Sequence, residues 1–124
     1  MSLSNYLENA FSNSVRGGGN GTSFTAPAAV YLKLHVGDPG EAGTSNAATE
    51  TTRKEIQFGA SSNGVISLSN SPSWTNIAGS QTVTFGSLWD DVSAGNCLGS
   101  GAITANAFTA GDTVTVTAFT FTLD

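Results

Sequence analysis

Val30-Tyr31-Leu32-Lys33-Leu34-His35-Val36 decides the fold class, because its polarity changes almost step by step. Successive side chains of a strand point to opposite faces, so Val30, Leu32, Leu34 and Val36 share one side. Tyr31, Lys33 and His35 share the other. The pattern predicts a half-buried strand with His35 on its solvent face. Gly37-Asp38-Pro39-Gly40 follows at once, and these are the residues of a tight turn.

The same signal recurs along the chain. Lys54 to Phe58 alternates, with Ile56 and Phe58 as its apolar set, and Val65 to Leu68 is a further short strand. Between the first two strands, Glu41 to Thr52 is polar, small and aperiodic, which reads as a surface loop. Gln81 to Trp89 is the longest core candidate, placing Val83, Phe85 and Trp89 on one face. Asp90-Asp91 opens a turn that ends at Gly95-Asn96, and Cys97-Leu98 and Ala102-Ile103-Thr104 are short pieces. In the last strand, Thr113 to Leu123, Val114 and Val116 have one parity while Phe119, Phe121 and Leu123 have the other. A bulge near Thr117-Ala118 would reconcile them. Strands recurring every 8 to 12 residues or so, with glycine-rich turns between them, predict a mainly β protein. The expected form is a small antiparallel β-sandwich or jelly-roll-like barrel with one short N-terminal α-helix.

That helix is expected over residues 4–16. Leu3, Leu7, Ala10, Phe11, Ser14 and Val15 recur at the spacing of one helical face. Asn5 and Glu8 resemble a capping pair, while Arg16 and Gly17 form the expected stop. Three turns do not hold alone in water, so the helix must dock. Gly17-Gly18-Gly19-Asn20-Gly21 then makes a joint that tolerates positive φ. A phosphate-cradling loop needs a strand before the glycines and a helix after them, and here the order is reversed. The organisation read from the sequence is an arm (1–16), a glycine-rich hinge (17–28) and one β domain (29–124).

Composition narrows the function. The chain has 124 residues, enough for one domain, and only 10% are charged, against roughly a quarter in ordinary domains. Seven Phe, two Trp and two Tyr distinguish it from a disordered polar tract. The net charge is −5, and Arg53-Lys54 is the only basic pair, flanked by Glu50 and Glu55. Direct nucleic-acid binding, which draws its affinity from clustered Lys and Arg, is not expected. No apolar run approaches the roughly 18 residues of a membrane span, and no secretion signal is read at the start. Asn20-Gly21-Thr22 matches a glycosylation sequon, read as chance without such a signal.

Candidate chemistry is sparse. His35 has no nucleophile in a recognisable context. Cys97 stands alone and reads as a small buried hydrophobe. Asp90-Asp91 lacks the spacing and closing glutamate of a calcium loop, and Asp38 and Glu41 read as turn residues rather than a glycosidase pair. No catalytic, cofactor or metal residue is assigned, and an enzyme is not expected. Trp89 belongs with Val83 and Phe85 in the core. Trp74, bounded by Pro72, fits either a core position or an exposed interface anchor.

Met1-Ser2-Leu3-Ser4-Asn5-Tyr6-Leu7-Glu8-Asn9-Ala10-Phe11 resembles the opening of a family of small tailed-phage virion structural proteins. The segment from Ala29 to Arg53 resembles that family too, as do Ser87 to Asp90, Gly95-Asn96, Gly111-Asp112 and Leu123-Asp124. Residues 60–82 match least, and Gly17 to Gly21 is longer than the family's usual connection. Its members are variously labelled head decoration or tail fibre proteins. The resemblance implies a particle component with no catalytic residues to carry over. A short chain without repeats favours a capsid decoration or cement protein, bound to the head lattice in many copies. The alternative is a tail fibre or tail-tip module for host-surface recognition. Expected partners are the major capsid protein, further copies of the chain in a homo-oligomer, or both, on the surface of a virion assembled in the bacterial cytoplasm. Leu3, Tyr6, Leu7, Phe11 and Trp74 are the residues expected at that interface.

Overall fold

Glycine-rich turns divide the chain into short strands, and the computed structural model, which describes residues 2–123, shows how they pair. The elements are β1 (Ser2–Leu3), α1 (Asn5–Ser14), β2 (Val30–His35), β3 (Lys54–Ile56), β4 (Val65–Ser67), β5 (Ser73–Trp74), β6 (Gln81–Trp89), β7 (Cys97–Phe108), β8 (Val114–Thr115) and β9 (Thr120–Thr122). Five strands form one antiparallel sheet in the order β1-β7-β6-β2-β3. Leu32 stands opposite Leu88 and Leu34 opposite Gly86, which sets the β2 alternation against β6.

The second layer pairs β4 with β9 and β5 with β8, so the last strand of the chain lies along residues 65–74. Backbone bonds from Val116 to the Pro72 carbonyl and from Leu68 to the Phe119 carbonyl extend both pairings. The two layers meet at a corner just beyond β3. There Gly59 donates to Ser67 and Ser69 donates to Gln57, so one run of chain pairs first with β2 and then with the second layer. The architecture is a small antiparallel β-sandwich, as the alternation predicts. Between the layers Leu32, Leu34, Ile56, Trp74, Ile77, Val83 and Val114 are fully buried. The parity change in the last strand is also present, since Val114 and Val116 are buried and so are Phe119 and Phe121. Leu123, expected with that set, is 47% exposed.

Several expectations are corrected. The pieces at Cys97-Leu98 and Ala102 to Thr104 are one twelve-residue strand, β7. Gly99 disguises it but is required there, because a Cβ would lie 2.6 Å from the Ser2 carbonyl oxygen. The Glu41 to Thr52 stretch is a surface loop, as expected, but it is tied down. Val36 donates to the Asn46 carbonyl and Ala48 to the Leu34 carbonyl, so the segment folds back along β2. That covers the strand's outer side and buries His35 completely. Val36, expected inside, is at the turn and partly exposed.

The helix is shorter than expected, and its cap is Ser4 rather than Asn5. The Ser4 hydroxyl accepts from the Leu7 amide at 3.2 Å, and the Ser4 amide donates to Leu98 on β7. Leu3 precedes the helix and pairs with Gly99. Arg16 and Gly17 lie beyond the last turn, which closes at Val15. Ser4→Ala removes an N-cap at a buried helix start and should cost about 1 kcal/mol, read as a lower urea midpoint at unchanged slope.

Candidate functional site

The most organised polar group in the protein lies inside it. His35 on β2 and Ser87 on β6 are both inaccessible to solvent. The imidazole Nδ1 lies 2.8 Å from the Ser45 carbonyl oxygen and Nε2 lies 2.7 Å from the Ser87 hydroxyl. A carbonyl can only accept, so Nδ1 carries the proton and Nε2 accepts from Ser87. The Ser87 oxygen in turn accepts from the Trp89 indole N–H at 2.7 Å. The donors run in one direction, Trp89 to Ser87 to His35 to Ser45, and every group is satisfied only when the imidazole is neutral. Burial lowers the imidazole pKa, the Ser45 carbonyl partly opposes this, and Lys33 adds to the lowering.

A hydroxyl bonded to an imidazole is the arrangement that activates a serine nucleophile. Here no substrate atom can reach it, because both partners are sealed beneath the segment that carries Ser45. The arrangement pins that segment to the sheet. Sequence reasoning missed it because fifty-two positions separate the two residues. The usable signal was strand register: His35 pairs with Phe85, which sets Ser87 diagonally beside it on the same face.

Arg53 closes the edge of this region. Its guanidinium lies 3.8 Å from the Trp89 ring centroid and donates to the Asp91 and Ala94 carbonyls at 2.8 and 2.7 Å. Arg53, one half of the only basic pair in the sequence, thus holds a turn. Asp91 caps the Ser93 and Ala94 amides of the same turn, which draws its carboxyl below the usual aspartate range, and Asp90 accepts from the amide and side chain of Asn96. Asp38 accepts from Gly40 within the turn after β2. Among the described residues, no three of His, Cys, Asp and Glu gather where they could hold a metal ion. Cys97 is buried beside Gly43, and burial pushes its thiol pKa up.

The residues expected at a partner interface are not all at a surface. Leu7 is 3% exposed and belongs to the chain's own core. Leu3 is half-buried in β1, and Phe11 is half-buried with its ring edge-to-face against Phe24 at 5.4 Å. Tyr6 alone among the four N-terminal residues is exposed, at 42%. Trp74 is 1% exposed and donates to the Thr52 carbonyl at 2.7 Å, which corrects the anchor reading to a core position. Its indole fills the space between the layers, and the proline that left its place open merely precedes β5.

Two of the surface depressions adjoin β7. One, of about 290 Å³, lies among Tyr6, Glu41, Asn96 and the edge of Trp89. The other, of about 180 Å³, is a groove between β7 and the last strand, lined by residues 103–106 and 114–118. None of those nine residues is charged.

A family model described as "Podophage GP4 fiber I protein gp80" matches residues 2–124. The chain belongs to this family. It is therefore a phage structural protein associated with the virion, as the resemblance implied. No curated protein matches it. The fiber I match takes in residues 60–82, the stretch where the resemblance was weakest, and that stretch supplies β4 and β5. Met1 and Asp124, the outer limits of the resemblance, lie outside the described residues.

Proposed function

We propose that this fiber I family member is a non-enzymatic structural component of a phage fibre, held in place by neighbouring virion proteins. The observation that carries this reading is the family description, which names a fibre and applies to nearly the whole chain. It favours the fibre alternative over capsid decoration. The geometry supports a structural role in its own way: the one hydroxyl–imidazole pair is sealed, and the acidic turns are occupied with backbone capping. A low charge density leaves little repulsion between packed chains. The partners are other virion proteins, copies of the chain among them, without nucleic acid, membrane or cofactor. Assembly takes place in the bacterial cytoplasm, and the protein ends on the particle surface.

A head-decoration role keeps one observation in its favour, a short chain without repeats. Immunogold labelling of intact particles separates the two, with copy number from a denaturing gel as a second readout. Label confined to the fibres with few copies is the expected result. Label over the head with hundreds of copies overturns it.

A further inference from the structure

β7 and the last strand are consecutive and joined by a tight turn, in which Thr109 donates to Asp112 and Asp112 to Thr109. Antiparallel neighbours connected this way ordinarily pair. These do not. Among the described residues β7 pairs with β6 and, at Gly99 and Ser100 only, with β1, while β8 pairs with β5 and β9 with β4. The two strands diverge from their turn, and the 180 Å³ groove lies in the opening. At its far end the gap narrows where β1 covers Gly99 and the Phe121 ring approaches it.

We propose that this groove is an acceptor slot for an extended, uncharged strand from a different protein of the particle. One wall is the β7 edge beyond Ser100, which pairs with no strand on that side among the described residues. The other is β8 with the irregular residues 116–118. An added strand can therefore bond the β7 backbone in a way a globular side-chain contact does not. On β7 a bulge sets residues 103–105 opposite Thr84 alone, taking them out of regular pairing with β6 at the groove itself. Ile103, Ala105 and Ala118 supply accessible apolar contact and Thr104, Thr115 and Asn106 supply hydroxyl and amide groups, so the guest is small and uncharged. The opposite edge of the sheet differs. β3 offers three residues, two of them Lys54 and Glu55, which is how free edges discourage pairing.

The guest is not a second copy, because the chain has no suitable strand to lend. Its named strands are all paired, and the irregular stretch at 22–29 contains Pro27, bends at residue 28 and holds Phe24 against Phe11. The slot rests on membership of the particle, and holds for a fibre or a head location alike.

The test places a photo-crosslinking benzophenone residue at Ala105 of the full chain in assembled particles, with Glu55 on the opposite edge as control. The expected product joins position 105 to an uncharged segment of another virion protein, with none from position 55. Cross-linking to a second copy, or no product at 105 while the chain is still present in particles, overturns the slot and leaves the structural role standing. A variant carrying Ala105→Lys and Thr117→Lys, both exposed in the free chain, should keep its melting temperature within about 2 °C. It should enter particles about tenfold less, since charge on both edges opposes strand addition. Undiminished entry overturns the proposal. If the variant loses its β spectrum, the cross-link decides.

Discussion

Trp74→Ala is expected to lower the unfolding free energy by about 3 to 5 kcal/mol, the usual range for truncating a large buried aromatic. Three effects add. The indole is 1% exposed, so the substitution leaves a cavity between the layers. It leaves the Thr52 carbonyl without its donor. It also weakens β5, which pairs with β8 over two residues only, so lost packing has little backbone pairing to fall back on. In a domain of this length a loss of 4 kcal/mol lowers the melting temperature by about 15 °C, measured by circular dichroism. A change under about 4 °C would place the indole outside the core. Trp74→Phe keeps part of the volume but not the donor, and should fall between the two.

His35→Leu is the second large effect. Leucine fills much of the imidazole volume, so the cost comes mainly from the polar partners that lose their bonds. The buried Ser87 hydroxyl loses its acceptor, worth about 1 to 3 kcal/mol. The part-buried Ser45 carbonyl loses its donor at a smaller cost, because Ser45 lies on an exposed segment. The expected loss is about 2 to 5 kcal/mol at neutral pH. The substitution also alters pH dependence. The folded imidazole has a pKa below its ordinary 6.5, so below that value the unfolded chain binds the extra proton more readily. Stability is then full above about pH 6.5 and declines as pH falls through the window down to the lowered folded value. Urea midpoints between pH 7.5 and 5 should show that decline in the parent chain and not in His35→Leu. Parallel profiles would mean that the imidazole does not govern the acid limb.

Much of the fold was legible because paired strands leave a period of two in side-chain polarity. Val30 to Leu34 carries that signature and lies where it puts it. Gln81 to Trp89 is a strand as expected, but a bulge after Val83 turns Phe85 and Trp89 to the face of His35 and leaves Leu88 facing the core. The parity change between Val116 and Phe119 even locates the break in the last strand. Illegible features are those held by backbone groups. The segment after Pro39 covers His35 through amide–carbonyl bonds at Val36 and Ala48, which need no particular side chains. Its polarity correctly marks a solvent-exposed segment and gives no sign that the inner side covers a buried imidazole. Gly99 misled for a related reason. Its missing side chain lowers strand propensity, yet that absence admits β1 and Phe121. Of the expected interface, only Tyr6 is well exposed, since an amphipathic helix signals that it docks and not on what. The groove beside β7 leaves no mark in the sequence, because two strands that fail to pair look the same as two that do.

The pairing of Ser2 with Ser100 sets a timetable for synthesis. The residues of β1 leave the ribosome well before β7 and must wait for nearly a hundred more before their partner exists, about 5 to 20 s at bacterial elongation rates. For that interval the nascent Leu3 and Leu7 lack the strand on which they pack. Few charges and ready β-pairing make such a chain vulnerable to its neighbours on a polysome, so soluble yield should rise when translation is slowed by cooling and crowding of nascent chains is relieved.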